Sequence, residues 1–371
     1  YLHILLNRLN APVITTLHTV LKDPEPSYRR SMIELCNASY KIITMNLKGI
    51  EMLQDIYGID KSKIELVPHG IPDLPFVDNN YYKHKYAMEG RRTILTFGLL
   101  SKNKGIESML EAMPEIVKAE PSVLYLVLGM THPLVAQHEG ESYRFKLQRR
   151  VKELGLQNNV KFINRFVDDD ELGSFLCASD IYVTPYLNEE QLTSGTLSFA
   201  VGTGKAVVST PYWAAEELLD DDRGILVDFG DTKAMSDAII EILKNDELFY
   251  SLRRKAYDYG RQRTWPKVGK KYWKLFNRNF PLCLSNLISF NSEFSSSMEF
   301  PEPSLDHIKH LTDDTGIIQH SKYTIPNRNH GYCTDDNARA ALTILKYYYQ
   351  HPESEALKLF DIYLSFLLHS Q

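Results

Sequence analysis

Residues 180–210 read DIYVTPYLNEEQLTSGTLSFAVGTGKAVVST. Two short β-branched runs, 181–184 and 206–209, flank a segment that starts with Thr193-Ser194-Gly195-Thr196, where a helix is expected to begin. A helix N-terminus presents free backbone N–H groups and partial positive charge, so it suits a phosphate or a developing oxyanion. Glu190 stands just before it, where a carboxylate can hold a sugar hydroxyl. Two readings follow. One is a site for a phosphorylated sugar donor at the carboxyl end of a strand; the other is an ordinary βαβ crossover whose Ser and Thr cap the helix.

The same alternation continues outward. Strands are expected at 93–97, 123–128, 160–163, 181–184, 206–209 and 225–227, with helices near 105–118, 142–154, 169–177, 195–202 and 231–243, then 247–259 and 265–276. Six strands alternating with helices imply a complete doubly wound α/β domain over 71–276. Upstream, strands at 12–17, 41–45 and 64–67 alternate with helices at 27–39 and 47–57. These make part of a similar domain over 1–70, whose remaining strands are expected to precede Tyr1; the opening LHILLNRL reads as a helix already under way. A linker is expected over 71–90, with one helical turn. Residues 277–303 are Ser-rich and read as a second linker, and 304–371 as an incomplete all-α domain.

Composition removes several functions. The net charge of −5 argues against a nucleic-acid surface. No run approaches the ~20 apolar residues of a membrane span. Cys36, Cys177, Cys283 and Cys333 show no metal-ligand spacing, which fits free thiols and a cytoplasmic protein.

Other residues suit the same chemistry. Gly98 at a strand end permits close approach of a ligand, and Lys104 adds a cation for a diphosphate; a surface lysine beside a turn glycine is the alternative. His18 follows the strand PVITTL, where ligands of open α/β sheets bind; a loop histidine with a structural hydrogen bond is the alternative. His69, in the domain connection, reads as structural. Trp213 reads as packing or as a cleft wall, and Asp168–Glu171 and Asp220–Asp222 as solvated caps. Asp313-Asp314 and Asp335-Asp336 are either acid/base pairs for a glycosidic bond or helix caps.

Taken in order, LHT (17–19), LVPHGIPD (66–73), FGLLSKNKG (97–105) and NEEQLTSGTLSFAVGTGKAVVST (188–210) resemble the retaining GT-B glycosyltransferases of family 4 over roughly 1–276. The resemblance implies a hexosyl transfer from a nucleotide-sugar or sugar-phosphate donor to a glycan or glycoside acceptor, with no metal requirement. It places the donor phosphates on Gly98, Lys104, Thr193, Ser194, Gly195 and Thr196, and the transferred sugar on Glu190 and His18. It also implies that the helix near 265–276 crosses back to the first domain. Two positions depart from the family. Leu99 stands where an arginine follows the glycine, and Ser198 where a second glutamate holds the ribose. A sugar phosphorylase and a non-catalytic binding module are the rival readings. The tail, with TDDTG and GYCTDDNARAAL, resembles the start of a glycosidase-like α-helical toroid.

Overall fold

The structure, a computed structural model, describes residues 11–279, 303–322 and 324–370. The opening helix expected at LHILLNRL, most of the Ser-rich linker and Cys283 lie outside the described residues. The chain divides into a unit over 1–288 and a second over 289–371.

The first unit starts with three parallel strands, β1 (Ile14–Thr16), β2 (Lys41–Thr44) and β3 (Ile64–Leu66), in that order. Helix α1 (Pro26–Ala38) connects the first two and α2 (Leu47–Asp55) the last two. Proline at the start of α1 suits a position whose N–H has no intrahelical partner. Asn46 caps α2 by accepting from Gly49 N. The stretch expected as a linker holds a two-turn helix, α3 (Asn79–Lys85), capped by Asp78.

A six-stranded, all-parallel sheet follows. Its strands are β4 (Arg92–Phe97), β5 (Val123–Leu128), β6 (Val160–Ile163), β7 (Ile181–Thr184), β8 (Ala206–Ser209) and β9 (Ile225–Leu226). The spatial order β6-β5-β4-β7-β8-β9 is the doubly wound Rossmann order, with its switch point between β4 and β7. The intervening helices are α4 (Ile106–Ala119), α5 (Pro133–Glu139), α6 (Ser142–Glu153), α7 (Asp169–Ala178), α8 (Gly195–Gly202) and α9 (Trp213–Leu219). Then come α10 (Thr232–Lys244), α11 (Asp246–Gly260) and α12 (Trp265–Asn279).

Helices cover both faces, so the strands are apolar throughout. In β5, Val123, Tyr125 and Val127 join one core cluster while Leu124, Leu126 and Leu128 join the other. Where the strands start, Asp180 accepts from Lys83 Nζ and Thr93 N, each at 2.7 Å, and from Asn79 Nδ2 at 2.9 Å. Burial alone would push this carboxyl up, but Lys83 and the hydrogen bonds hold it below its ordinary value. Helix α12 packs Val268 and Leu275 against Ile43 and Val67 of the first sheet domain, with Tyr272 and Ile14 at the edge.

The second unit contains α13 (Asp306–Leu311), α14 (Thr334–Gln350) and α15 (Ser354–His369). Its small core joins Ala340, Ala341 and Ile344 to Ala356, Leu359 and Tyr363. It is not purely helical: β10 (Ser321–Lys322) and β11 (Ile325–Pro326) form an antiparallel pair.

Candidate functional site

The donor loop of 185–194 is held from both sides. Gly105, at φ 61°, lets the backbone pass close to the carbonyl of Pro185; an added Cβ would lie 1.8 Å from that oxygen. On the other side, Trp213 N donates to Glu189 O and Ala214 N to Gln191 O. Trp213 is buried in the core of the first sheet domain and also lines a cavity of about 240 Å³ with Lys22, Glu51 and Glu189, so it both packs and forms a wall.

At the start of α8, Ser194 is the capping residue and accepts from Leu197 N at 3.3 Å. The expected cluster therefore both caps and presents: Ser194 Oγ also lies 3.3 Å from Thr196 Oγ1. Thr196 Oγ1 in turn is 3.0 Å from the Tyr186 hydroxyl, to which Lys104 Nζ donates at 2.5 Å. The same amine stands 4.0 Å from the centre of the Tyr186 ring, within cation–π range. Burial pulls Lys104 down to about 8. Gly98, at φ 124°, completes the group: a Cβ there would meet Thr196 Cγ2 at 3.4 Å and Lys104 Nζ at 3.7 Å.

Gly98 and Thr196 form one side of a cavity of about 210 Å³. Leu128, Met130, Phe166, Val167 and the carboxylate-bearing Asp169 are among the other lining residues, off the carboxyl ends of β4, β5 and β6. Leu99, which stands in place of the family arginine, also lines it, and Arg165 contributes the cation there. Arg165 is paired with Glu171 at 2.5 Å.

Thr193 and Ser198 fall into a second group, while His18 and Glu190 line neither cavity. Thr193 and Ser198 line a cavity of about 20 Å³ together with Asn46, His69, Glu217 and Arg263. The Ser198 hydroxyl already donates to Ser194 O at 2.8 Å. The Thr193 hydroxyl is buried without a partner. His69 Nδ1 lies 2.7 Å from Gly70 O, which puts the proton on Nδ1 and leaves Nε2 as an acceptor beside Gly195. Burial pushes His69 below its ordinary value; the bond to Gly70 opposes this and the charges of His18 and Arg263 add to it. His18 is exposed and within electrostatic reach of His69. Glu190 is exposed, its backbone N–H held by Asn188 Oδ1.

The structure thus brings together Gly98, Lys104, Thr196 and, through Thr196, Ser194. Sequence reasoning missed Tyr186, which joins Lys104 to α8; its signal is a tyrosine two residues past a strand end. It also missed Asn46, which ties the 185–194 loop to the first sheet domain, and Glu217, which ties α9 to it. Asn46 Nδ2 donates to Leu192 O at 2.5 Å, and Leu47 N donates to Glu217 Oε2 at 2.7 Å.

In the second unit, Asp335 and Asp336 are not caps. They occupy the first turn of α14, whose capping residue is Cys333. Asp335 pairs with Arg339 one turn on, at 2.5 Å. Among the described residues no group of three or more His, Cys, Asp or Glu is placed to hold a metal. No helix among them is long and apolar enough to cross a membrane.

Two Rossmann-like domains with the cleft residues at the second domain's switch point define a GT-B fold. Residues 79–263 match the family described as glycosyl transferases group 1. It is similar to a phosphatidyl-myo-inositol mannosyltransferase of Mycolicibacterium smegmatis, 27% identical over 212 residues, 57% of this chain and 50% of that protein. The fold is shared with sucrose-phosphate synthase from Thermosynechococcus elongatus (TM-score 0.63, 17% identity, 75% of this chain and 70% of that one). It is also shared with Anabaena HepE solved with UDP and glucose (TM-score 0.59, 18% identity, 74% and 71%). The chain spans about half the length of the curated relatives it matches.

Proposed function

We propose that this chain carries the donor site of a retaining glycosyltransferase that uses a nucleoside-diphosphate sugar and a glycan or glycoside acceptor. The observation that carries the reading is that Gly98 and Thr196 line the 210 Å³ cavity and the Lys104 amine lies close to Gly98. Apolar walls suit a nucleobase, and the Lys104 amine and the N–H groups that open α8 suit the diphosphate. HepE, with the same fold, was solved with UDP and glucose, which supports this choice of ligand.

In the reaction the bond between the sugar's anomeric carbon and the diphosphate oxygen breaks. The acceptor hydroxyl adds to that carbon from the leaving-group face and passes its proton to the departing phosphate oxygen, so configuration is retained. Lys104 and the start of α8 stabilise the charge that builds on the diphosphate. Glu190 and His18 are the residues we assign to the transferred sugar, on the family resemblance. Charge on the leaving group is met by these groups without invoking a metal.

The test is product stereochemistry by NMR in the full-length protein, with Lys104→Ala and Glu190→Ala alongside. Retention, with transfer reduced at least tenfold in both variants, supports the assignment. Inversion, or wild-type transfer in both variants, overturns it.

A further inference from the structure

Helix α12, WPKVGKKYWKLFNRN, carries Lys267, Lys270, Lys271, Lys274 and Arg278 and no acidic residue, in a chain whose net charge is −5. At about 100° per residue these five fall within an arc of roughly 100° along about 16 Å of helix. All five are exposed, while Val268 and Leu275, about 100° round the helix from the centre of that arc, are buried against the first sheet domain. The apolar side is thus already in use, and a cationic stripe faces solvent.

The stripe lacks matching anions. Among the described residues, Arg278 alone of the five has a carboxylate partner, Glu65, which Lys41 shares at 3.1 Å. Partial burial, together with the nearby charge of Arg263, holds Lys271 below its ordinary value. Trp273, 55% exposed, sits at the flank of the stripe.

We propose that the outer face of α12 docks on an anionic lipid surface. Each Lys or Arg near such a surface contributes about a fivefold gain in affinity. A tryptophan beside the cations suits the headgroup layer. The stripe runs along the convex outside of a helix, which meets a plane, whereas sequence-tolerant binding of single-stranded nucleic acid uses a groove. With its apolar side packed on protein, α12 lies on the surface rather than inserting.

The experiment is co-sedimentation of the full chain with phosphatidylcholine vesicles, with and without phosphatidylglycerol. Lys270→Gln/Lys274→Gln and Trp273→Ala are compared, and circular dichroism confirms folding. Binding only to the phosphatidylglycerol vesicles, weakened by salt and about 25-fold weaker in the double-lysine variant, supports the proposal. Weaker binding of Trp273→Ala supports the indole's part. No binding, equal binding to both vesicles, or unchanged binding of the double variant overturns it. Tighter binding to an oligonucleotide than to phosphatidylglycerol vesicles in the same buffer also overturns it.

Discussion

The amine of Lys104 stands over the face of Tyr186, 4.0 Å from the ring centre, and donates to the same residue's hydroxyl. This contact holds a half-buried cation beside the start of α8 before any ligand is present. It also ties the amine to Thr196, which shares the tyrosine hydroxyl.

The contact sets a pH dependence. Burial holds Lys104 at about 8 against an ordinary 10.5, so the unliganded amine loses its proton as pH rises through that value. We expect affinity for a nucleoside diphosphate to be flat below pH about 7 and to fall above about 8. Between the folded and unfolded pKa values the unfolded chain binds more protons, so the amine's cost to stability is greatest below the folded value and eases as pH rises. Lys104→Met is therefore expected to weaken donor binding while leaving the melting temperature at pH 7 unchanged or higher. Calorimetry and thermal melts across pH check both.

Asn46 does two things at once: it caps α2 and reaches across to Leu192 in the donor loop. Asn46→Ser keeps a good capping residue but removes the reach. We expect kcat/KM to drop about tenfold, with a loss of about 1–3 kcal/mol of stability because the buried Leu192 carbonyl loses its donor. Asn46→Ala is expected to lose the cap as well, at about a further 1 kcal/mol. Steady-state kinetics and urea melts on the two variants separate these roles.

Asp180 is expected to matter for stability rather than catalysis. Its replacement by alanine leaves Lys83 buried and unpaired, at a cost of about 3–5 kcal/mol. Because its carboxyl is held below the ordinary value, its contribution is present above the unfolded pKa and is lost as pH falls through the folded one. Urea melts from pH 7 down to pH 3 on wild type and variant should converge at the acid end.

The sheets were legible because parallel strands covered on both faces are uninterrupted apolar runs. Val123–Leu128 and Ala206–Ser209 match their expected bounds to the residue. Short helices were less so: Gly195–Gly202 was legible, Asn79–Lys85 only as one turn, and Trp213–Leu219 not at all. Trp213–Leu219 has only seven residues and is separated from the preceding strand by three residues, and Asn79–Lys85 is almost wholly polar. Neither offers a second turn of periodic apolar residues to detect. At the site, Gly98, Lys104 and Ser194–Thr196 could be read because each sits at a strand end or helix start. Tyr186, Asn46 and Glu217 could not, since their partners lie at Lys104, Leu192 and Leu47, joined only by folding.

The most direct test is titration calorimetry of UDP, GDP and ADP into the full-length protein, with Lys104→Ala as the comparison. We expect one nucleoside diphosphate to bind the wild type and to bind Lys104→Ala about 10- to 100-fold more weakly, as for loss of a charged hydrogen bond. Binding of inorganic phosphate without any nucleotide, or a nucleotide affinity that Lys104→Ala leaves unchanged, would contradict the donor site described here.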